Sequence, residues 1–189
     1  MDDSPRRDAV LPRLRGRFGR PYLYVPSCPS TQRLLDRDAP EGALAITDEQ
    51  TEGRGRLGRR WEAPAATSIL CSLLLRPNVE PERLPELTVV AAEACAEAIA
   101  ALTGLEPRLK DPNDVLVRGR KVAGILAEAS DGRVVLGIGV NVNVAEPELP
   151  TDQATSLLVE TGAPLDRREL LVELLERLER RYDAWNTAP

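Results

Sequence analysis

The chain has 189 residues, of which 42% are hydrophobic and 29% charged, as in an ordinary globular domain. Its formal net charge of −5 argues against a general nucleic-acid binder, because such proteins usually present a basic face. Histidine is absent, which excludes Ser-His-Asp and Cys-His triads and most transition-metal sites. Any proton or charge chemistry must therefore use carboxylates, Lys, Arg or groups of the substrate.

The cysteine pattern and the N-terminal residues indicate the cellular setting. Cys28, Cys71 and Cys95 are odd in number and have no C-x-x-C spacing, which predicts reduced thiols and a cytoplasmic location. Residues 1–20 contain several arginines but no long apolar run, so they are not a secretory signal. They predict a solvated arm that can be disordered, with a nucleic-acid contact as the alternative. No run approaches the roughly 18 apolar residues of a membrane span, so no membrane partner is expected.

The first half of the chain predicts three strands. Residues 21–27 form a short segment with aromatic and other β-favouring residues, which predicts the first strand. Residues 30–38 predict a short helix with Ser30 as its N-cap. Residues 42–50 predict a second strand, and the continuous apolar run 67–76 predicts a buried central strand.

The second half combines amphipathic helices with hairpin signals. Residues 82–103 place small and apolar side chains at helical spacing, and an amphipathic helix is predicted near 167–183. Between them, short β-branched runs alternate with Gly- or Asp-containing turns up to 134–144, followed by a short helix that ends at Gly162. No repeat or internal linker is visible. The order favours an α+β fold with a mixed sheet.

One basic, glycine-rich stretch needs a chemical explanation. Residues 51–61, "TEGRGRLGRRW", spell G-x-G-x-x-G, but a dinucleotide loop leads into a helix, whereas here Pro64 and an apolar strand follow. A Walker loop is excluded because Arg59 and Arg60 stand where Lys and Ser or Thr are needed. Two interpretations remain: a solvated hairpin tip, or a flap that orders around a phosphate-bearing ligand. Guanidinium groups bind phosphate bidentately, and glycines allow the backbone to approach closely.

Several segments resemble the biotin protein ligases, and they occur in that family's order over about residues 22–185. Ser30 and Thr31 resemble the start of its S-T-N motif, and Gln50 its glutamine before the loop. The longer segments are "GRGRLGRRW" (53–61), similar to G-R-G-R-x-G-R-x-W; "KDPNDVLV" (110–117), similar to K-W-P-N-D; "KVAGILAE" (121–128), similar to K-x-A-G-I-L-x-E; and "GIGVNVN" (137–143), similar to G-I-G-[IV]-N.

The resemblance implies a fold, an activity and its partners. The fold would be a mixed, largely antiparallel sheet with helices mainly on one face, like that of class II aminoacyl-tRNA synthetases, formed by residues 21–189. The activity would be that of a biotin–[biotin carboxyl-carrier protein] ligase, which converts biotin and Mg²⁺-ATP into biotinyl-5′-AMP and then biotinylates a lysine of a carrier domain of acetyl-CoA carboxylase. Such chemistry brings two anions together and suits a chain without histidine. The resemblance also implies that a second copy of the chain can be a partner, in a homodimer.

The resemblance also assigns candidate site residues. Lys110 and Arg56 would be catalytic, and Asp114 is a candidate contact for Mg²⁺. The biotin contacts would be Ser30, Thr31, Gln50, Gly53, Arg54, Gly55, Arg56, Lys110, Gly137 and Gly139. The nucleotide contacts would be Arg54, Arg56, Trp61, Lys110, Asn113, Lys121 and Asn141. For Asn113 and Asp114 a plain turn is the alternative, and for Trp61 core packing.

The chain departs from the family pattern in two positions and two segments. Asp111 replaces a tryptophan; strand alternation would point it away from Lys110, but if it faces the site its charge opposes the anionic substrates. Gln32 replaces an asparagine. The segment before Tyr22 is too short for a helix-turn-helix domain, so no sequence-specific DNA binding is expected, and the small barrel that follows the core in many members is not expected either. The alternatives are a non-catalytic or weakened biotin or adenylate binder and a related lipoate or octanoate ligase.

Overall fold

Residues 2–187 of the protein are described from a computed structural model. Within these residues the fold consists of seven strands, four α-helices and several single 3₁₀ turns. The strands are β1 (Tyr22–Cys28), β2 (Leu44–Gln50), β3 (Ser68–Leu75), β4 (Arg108–Lys110), β5 (Asp114–Val117), β6 (Arg120–Ser130) and β7 (Arg133–Asn141). The helices are α1 (Arg7–Val10), α2 (Glu86–Thr103), α3 (Leu157–Thr161) and α4 (Arg167–Thr187).

The strands form one mixed sheet in the order β1-β2-β3-β7-β6-β5-β4. Strands β1 and β2 run parallel, and every other neighbouring pair is antiparallel. The register places Gly139 of β7 opposite Gly124 of β6 on one side and Leu70 of β3 on the other. The predicted mixed, largely antiparallel sheet is therefore confirmed.

The two long helices cover one face of the sheet. In β7 the alternate residues Val134, Leu136, Ile138 and Val140 join the hydrophobic core. Helix α2 contacts both α4 and β6, and its buried stripe is rich in alanine, which lets it approach closely. The opposite face carries the intervening β7 residues, including two glycines, and it is there that the cavity described below lies.

The N-terminal arm is packed and not solvated, which corrects the sequence prediction for residues 2–20. Val10, Leu14 and Phe18 are all buried in the core. Arg17 contacts two carboxylates of α4, those of Glu179 at 3.0 Å and Asp183 at 2.5 Å. Only Arg7–Val10 of this segment is α-helical, so the arm is held by tertiary contacts that a local sequence pattern does not show.

The length and hydropathy of the helices bear on whether any of them could span a membrane. Among residues 2–187, no helix combines the length and the apolar character needed to cross a bilayer.

Candidate functional site

A cavity of about 280 Å³ lies on the helix-free face of the sheet, beneath the stretch 51–61. We call this stretch the arginine loop. The floor of the cavity is formed by Gly124 of β6 and by Gly137 and Gly139 of β7. The walls come from five other places in the chain: the segment after β1, the end of β2, β3, the arginine loop, and the turn between β4 and β5. Residues far apart in sequence thus converge on one site.

The three floor positions require glycine because other side chains occupy the space where a Cβ atom would lie. A Cβ atom on Gly139 would lie 2.6 Å from the Trp61 indole, and one on Gly124 would lie 2.9 Å from it. A Cβ on Gly137 would lie 2.7 Å from the amide nitrogen of Gln32. Gly124 belongs to the matched segment 121–128 but was not predicted to form part of the site, because only the strand register shows that it lies beside Gly139.

The arginine loop is a small hairpin. The Gly55 N–H donates to the Arg59 carbonyl at 2.8 Å, and the Trp61 N–H donates to the Gly53 carbonyl at 3.0 Å. At the tip, Leu57 is 90% exposed and has a φ of 55°, in the left-handed region. A Cβ on Gly53 would lie 2.3 Å from the Trp61 carbonyl oxygen, so glycine is needed there for close approach of the two loop segments.

The charges around the cavity are unbalanced. Among residues 2–187, four cations that line it have no carboxylate within 4.0 Å: Arg56, Arg59, Arg60 and Lys110. Two other lining cations are paired: Arg54 with Glu128 and Lys121 with Asp114, both at 2.7 Å. The chain has 30 acidic residues against 25 basic ones, so this local excess of positive charge stands out, and it favours an anionic ligand.

The end of the cavity near β1 and β2 is polar but not cationic. The Thr31 N–H donates to Gln50 Oε1 at 2.8 Å, and the Thr31 hydroxyl lies 2.8 Å from that of Ser72. The Ser30 hydroxyl and Gln32 Oε1 are buried and have no hydrogen-bond partner within the described part of the chain. Buried polar atoms are normally satisfied, so these two indicate a neutral ligand group with donors and acceptors.

Near the cationic side, an aromatic ring and a lysine lie together. Lys121 Nζ lies 5.5 Å from the centroid of the Trp61 ring, within cation–π distance. Trp61 Nε1 is buried and unpaired within residues 2–187. Asn113 accepts a hydrogen bond from Arg56 at 3.5 Å and donates one to the Ile125 carbonyl at 2.7 Å. Trp61 thus both packs on the floor and lines the cavity.

Two predicted site residues do not line the cavity. Asn141 is buried and donates to the Thr155 carbonyl at 3.0 Å, so it connects β7 to the following segment. Gly53 lies at the base of the arginine loop, where it serves the close approach described above. The remaining predicted residues are brought together, including Arg54, Gly55 and Asp114.

Asp111 lines the cavity together with Lys110. The expectation that strand alternation would turn it away is wrong because β4 ends at Lys110 and Asp111 already belongs to the turn. The predicted short helix after Ser30 is a single 3₁₀ turn, Thr31–Arg33, and Ser30 makes no side-chain cap. Its hydroxyl is therefore left for the cavity.

The residues around Asp114 do not form a metal cage of their own. No group of three or more His, Cys, Asp or Glu side chains suited to a metal ion occurs in residues 2–187. Magnesium in nucleotide sites commonly uses one or two carboxylates together with substrate phosphates and water. A single carboxylate such as Asp114 fits that arrangement only with a nucleotide present.

Cys71 is the thiol that reaches the cavity wall. Burial raises the pKa of Cys71 to about 12, and that of Cys95 likewise to about 12. Both thiols are therefore protonated at neutral pH and unsuited to act as nucleophiles. All three cysteines are free.

Comparisons with known proteins agree with this geometry. Residues 24–144 match the family model described as "Biotin/lipoate A/B protein ligase family". The biotin–[acetyl-CoA-carboxylase] ligase of Mycobacterium tuberculosis is 42% identical over 152 residues, which are 78% of this chain and 57% of that protein. The bifunctional ligase/repressor BirA of Bacillus spizizenii is 38% identical over 182 residues, which are 90% of this chain and 56% of that protein. The chain thus spans somewhat more than half the length of these curated relatives.

A solved structure extends the comparison to the fold. The biotin protein ligase of Aquifex aeolicus, in complex with biotin and ATP, superposes with a TM-score of 0.78 at 36% sequence identity. The match covers 87% of this chain and 71% of that chain. The chain therefore belongs to the biotin/lipoate A/B protein ligase family.

Proposed function

We propose that the protein is an ATP-dependent biotin ligase. It activates biotin to biotinyl-5′-AMP and transfers the biotinyl group to a lysine of a biotin carboxyl carrier domain. One observation carries the proposal: within residues 2–187, a single cavity combines four cations that have no carboxylate partner with a polar end whose buried hydroxyl and amide oxygen have no hydrogen-bond partner. A carboxylate with a nucleotide suits the first part, and a ureido ring suits the second. The names of the relatives support the same activity.

In the first step a carboxylate oxygen of biotin attacks the α-phosphorus of ATP. The bond from that phosphorus to the α,β-bridging oxygen breaks, and pyrophosphate leaves with the electron pair. No proton needs to move, so the main barrier is repulsion between two anions. Lys110 and Arg56 are the side chains we assign to this task. They line the same cavity without carboxylate partners among residues 2–187, so their charge remains available to the reacting groups.

In the second step the neutral ε-amine of the acceptor lysine attacks the acyl carbon of biotinyl-AMP. The bond from that carbon to the phosphate oxygen breaks, AMP leaves, and the amine loses its proton. The same two cations stabilise the negative charge of the departing AMP. The arginine loop, which covers the cavity, limits the access of water to the reactive anhydride.

The polar end of the cavity discriminates biotin from lipoate and octanoate. Ser30 and Gln50 offer a hydroxyl and an amide to the ureido ring of biotin, whereas a dithiolane ring or an alkyl chain has no matching donors and acceptors. On the other side, Trp61, Lys121 and Asn113 remain the proposed contacts for the nucleotide. Mg²⁺ would enter with ATP beside Asp114. A cytoplasmic location and a homodimer remain predictions.

The test is a product analysis by mass spectrometry. The protein is incubated with Mg²⁺-ATP and, in parallel reactions, biotin, lipoate or octanoate. We expect biotinyl-AMP and pyrophosphate, with little acyl-adenylate from the other acids. Preferential formation of lipoyl- or octanoyl-AMP would indicate the related ligase. Binding of biotin without any adenylate would indicate a non-catalytic binder.

A further inference from the structure

Arg54 and Glu128 form a bidentate ion pair between the arginine loop and the sheet. Arg54 Nη2 lies 2.7 Å from Glu128 Oε1, and Arg54 Nη1 donates to Glu128 Oε2 at 2.8 Å. This fork geometry is the strongest arrangement for an arginine and a carboxylate. Glu128 lies on β6 four residues after Gly124, and alternation along the strand places both on the cavity face.

The pair is located at the base of the loop. Arg54 pairs across the small hairpin with Arg60, and the two backbone hydrogen bonds of the hairpin lie on either side of this position. The loop base is thus attached to β6 by a side-chain fork in addition to its own backbone hydrogen bonds.

The tip of the loop has no such attachment. Arg56 has one long hydrogen bond, at 3.5 Å to Asn113, and no carboxylate partner among the described residues. Leu57 and Gly58 both have positive φ values, and Leu57 is 90% exposed. The loop therefore has a fastened base and a weakly held tip.

We propose that Glu128 is a positioning residue that fastens the base of the arginine loop through Arg54, so that only residues 56–58 rearrange when a ligand enters. The guanidinium of Arg54 is neutralised by its ion pair with Glu128. It therefore attaches the loop to the sheet and does not contact the substrates. Arg56 and Lys110 then supply the free positive charge. This revises the biotin-binding and nucleotide-binding roles that sequence resemblance gave to Arg54. The kinetic part of the proposal rests on the proposed ligase function; the structural part does not.

Hydrogen exchange of the ligand-free protein tests the structural part. In Glu128→Gln and in Arg54→Gln, we expect faster exchange at the amides of Gly55 and Trp61, which close the hairpin. Glu52→Gln is the matched control, because Glu52 forms a comparable exposed pair with Arg33 at 3.0 Å near the start of the same loop. That variant should leave both amides unchanged. Wild-type exchange in Glu128→Gln would overturn the proposal.

Kinetics test whether the two side chains act as one unit. The side chains are 43% and 36% exposed, so each single variant should raise the KM for biotin only about two- to fivefold, with kcat little changed. The double variant should be no worse than either single one, and the charge swap Arg54→Glu with Glu128→Arg should restore part of the loss.

A direct role of Arg54 would give a different pattern. If Arg54 contacted the phosphates, Arg54→Gln would lower kcat strongly while Glu128→Gln would leave it unchanged or raise it. That result would overturn the proposal. Failure of the wild-type protein to form biotinyl-AMP would refute the proposed function, and the exchange experiment would still decide the role of Glu128.

Discussion

Asp111 lines the cavity and, unlike Asp114, has no ion-pair partner among residues 2–187, so its charge would oppose an anionic substrate. We predict that Asp111→Asn, which removes the charge at nearly constant volume, raises kcat/KM for biotinyl-AMP formation up to about fivefold, which corresponds to roughly 1 kcal/mol for a solvent-exposed charge. Asp111→Trp should preserve or raise the rate. Asp8→Asn, at an exposed position on α1, is the control. A large loss of activity in either Asp111 variant would show that the aspartate has its own role.

The contact between Gly139 and Trp61 can be tested by stability measurements. We predict that Gly139→Ala lowers the free energy of unfolding by about 1–3 kcal/mol, because its Cβ would lie 2.6 Å from the indole. In a background of Trp61→Ala the same substitution should be nearly neutral, because the clashing ring is gone. Urea denaturation of the four proteins measures this coupling. Equal effects in both backgrounds would contradict the packing that we describe.

Single site residues were predictable where a sequence motif contains them. They were not predictable where their position depends on how two strands pair. The matched segments gave Lys110, Arg56 and Gln50, and all three line the cavity. Gly124 and Glu128 were missed because their place beside the cavity depends on how β6 pairs with β7, and one sequence does not state that register. Asn141 also matches a motif, but a motif does not say which way a side chain points, and here the side chain donates to the Thr155 carbonyl instead of lining the cavity.

At the scale of elements, the arginine loop is the part expected to respond to ligands. We predict that trypsin cleaves at Arg56 more slowly in the presence of biotin and Mg²⁺-ATP, because a ligand would engage this side chain, which has no carboxylate partner among residues 2–187, and would order the tip. The turn at Arg118 offers an internal control, since this side chain is 72% exposed and lies outside the cavity. Equal protection of both sites, or of neither, would contradict a local ordering of the loop.

Elements with long periodic patterns were predicted well, and short ones were not. The apolar run 67–76 became β3 and the helical stripe 82–103 became α2, each shifted by only a few residues at the ends. The 3₁₀ turn Thr31–Arg33 was predicted as a helix because a cap signal does not specify length. Helix α1 has only four residues, too few for a periodic signal, and its packing depends on α4.

At the scale of the whole molecule, one buried ion network joins the N-terminal segment to the core. Arg167, at the start of α4, is 1% exposed and lies 2.7 Å from both Asp3 and Asp48. Asp48 also accepts hydrogen bonds from Tyr24 and Ser4. The network therefore connects the arm, β1, β2 and α4, and it explains why residues 2–20 belong to the folded domain.

Removal of the central cation should destabilise the fold strongly. We predict that Arg167→Met lowers the free energy of unfolding by on the order of 3 kcal/mol, because it leaves two partly buried carboxylates without their counter-ion. Arg168→Met provides the control: its pair with Asp166 lies nearer the surface, and its loss should have a much smaller effect. Equal effects of the two substitutions in urea denaturation would contradict the importance of the network.

The same network predicts how stability depends on pH. Burial raises the pKa of Asp48, but hydrogen bonds from Tyr24, Arg167 and Ser4 and the charge of Arg167 outweigh it, so the pKa lies below its ordinary value. A depressed carboxyl pKa contributes stability that is present above the unfolded-state value, about 3.9, and is lost as the pH falls below it. Asp48→Asn should therefore show a weaker loss of stability between about pH 4 and pH 2 than the wild type. Identical pH profiles would refute this assignment.

In the proposed reaction, cavity cations that have no carboxylate partner among residues 2–187 allow a carboxylate to attack ATP. Biotin-dependent exchange of labelled pyrophosphate into ATP measures that step directly and needs no acceptor protein. We predict exchange by the wild-type protein and a reduction of at least about 100-fold in Lys110→Ala, with thermal stability unchanged because Lys110 is exposed. Exchange at the wild-type rate in Lys110→Ala, or no biotin-dependent exchange in the wild type, would contradict the account.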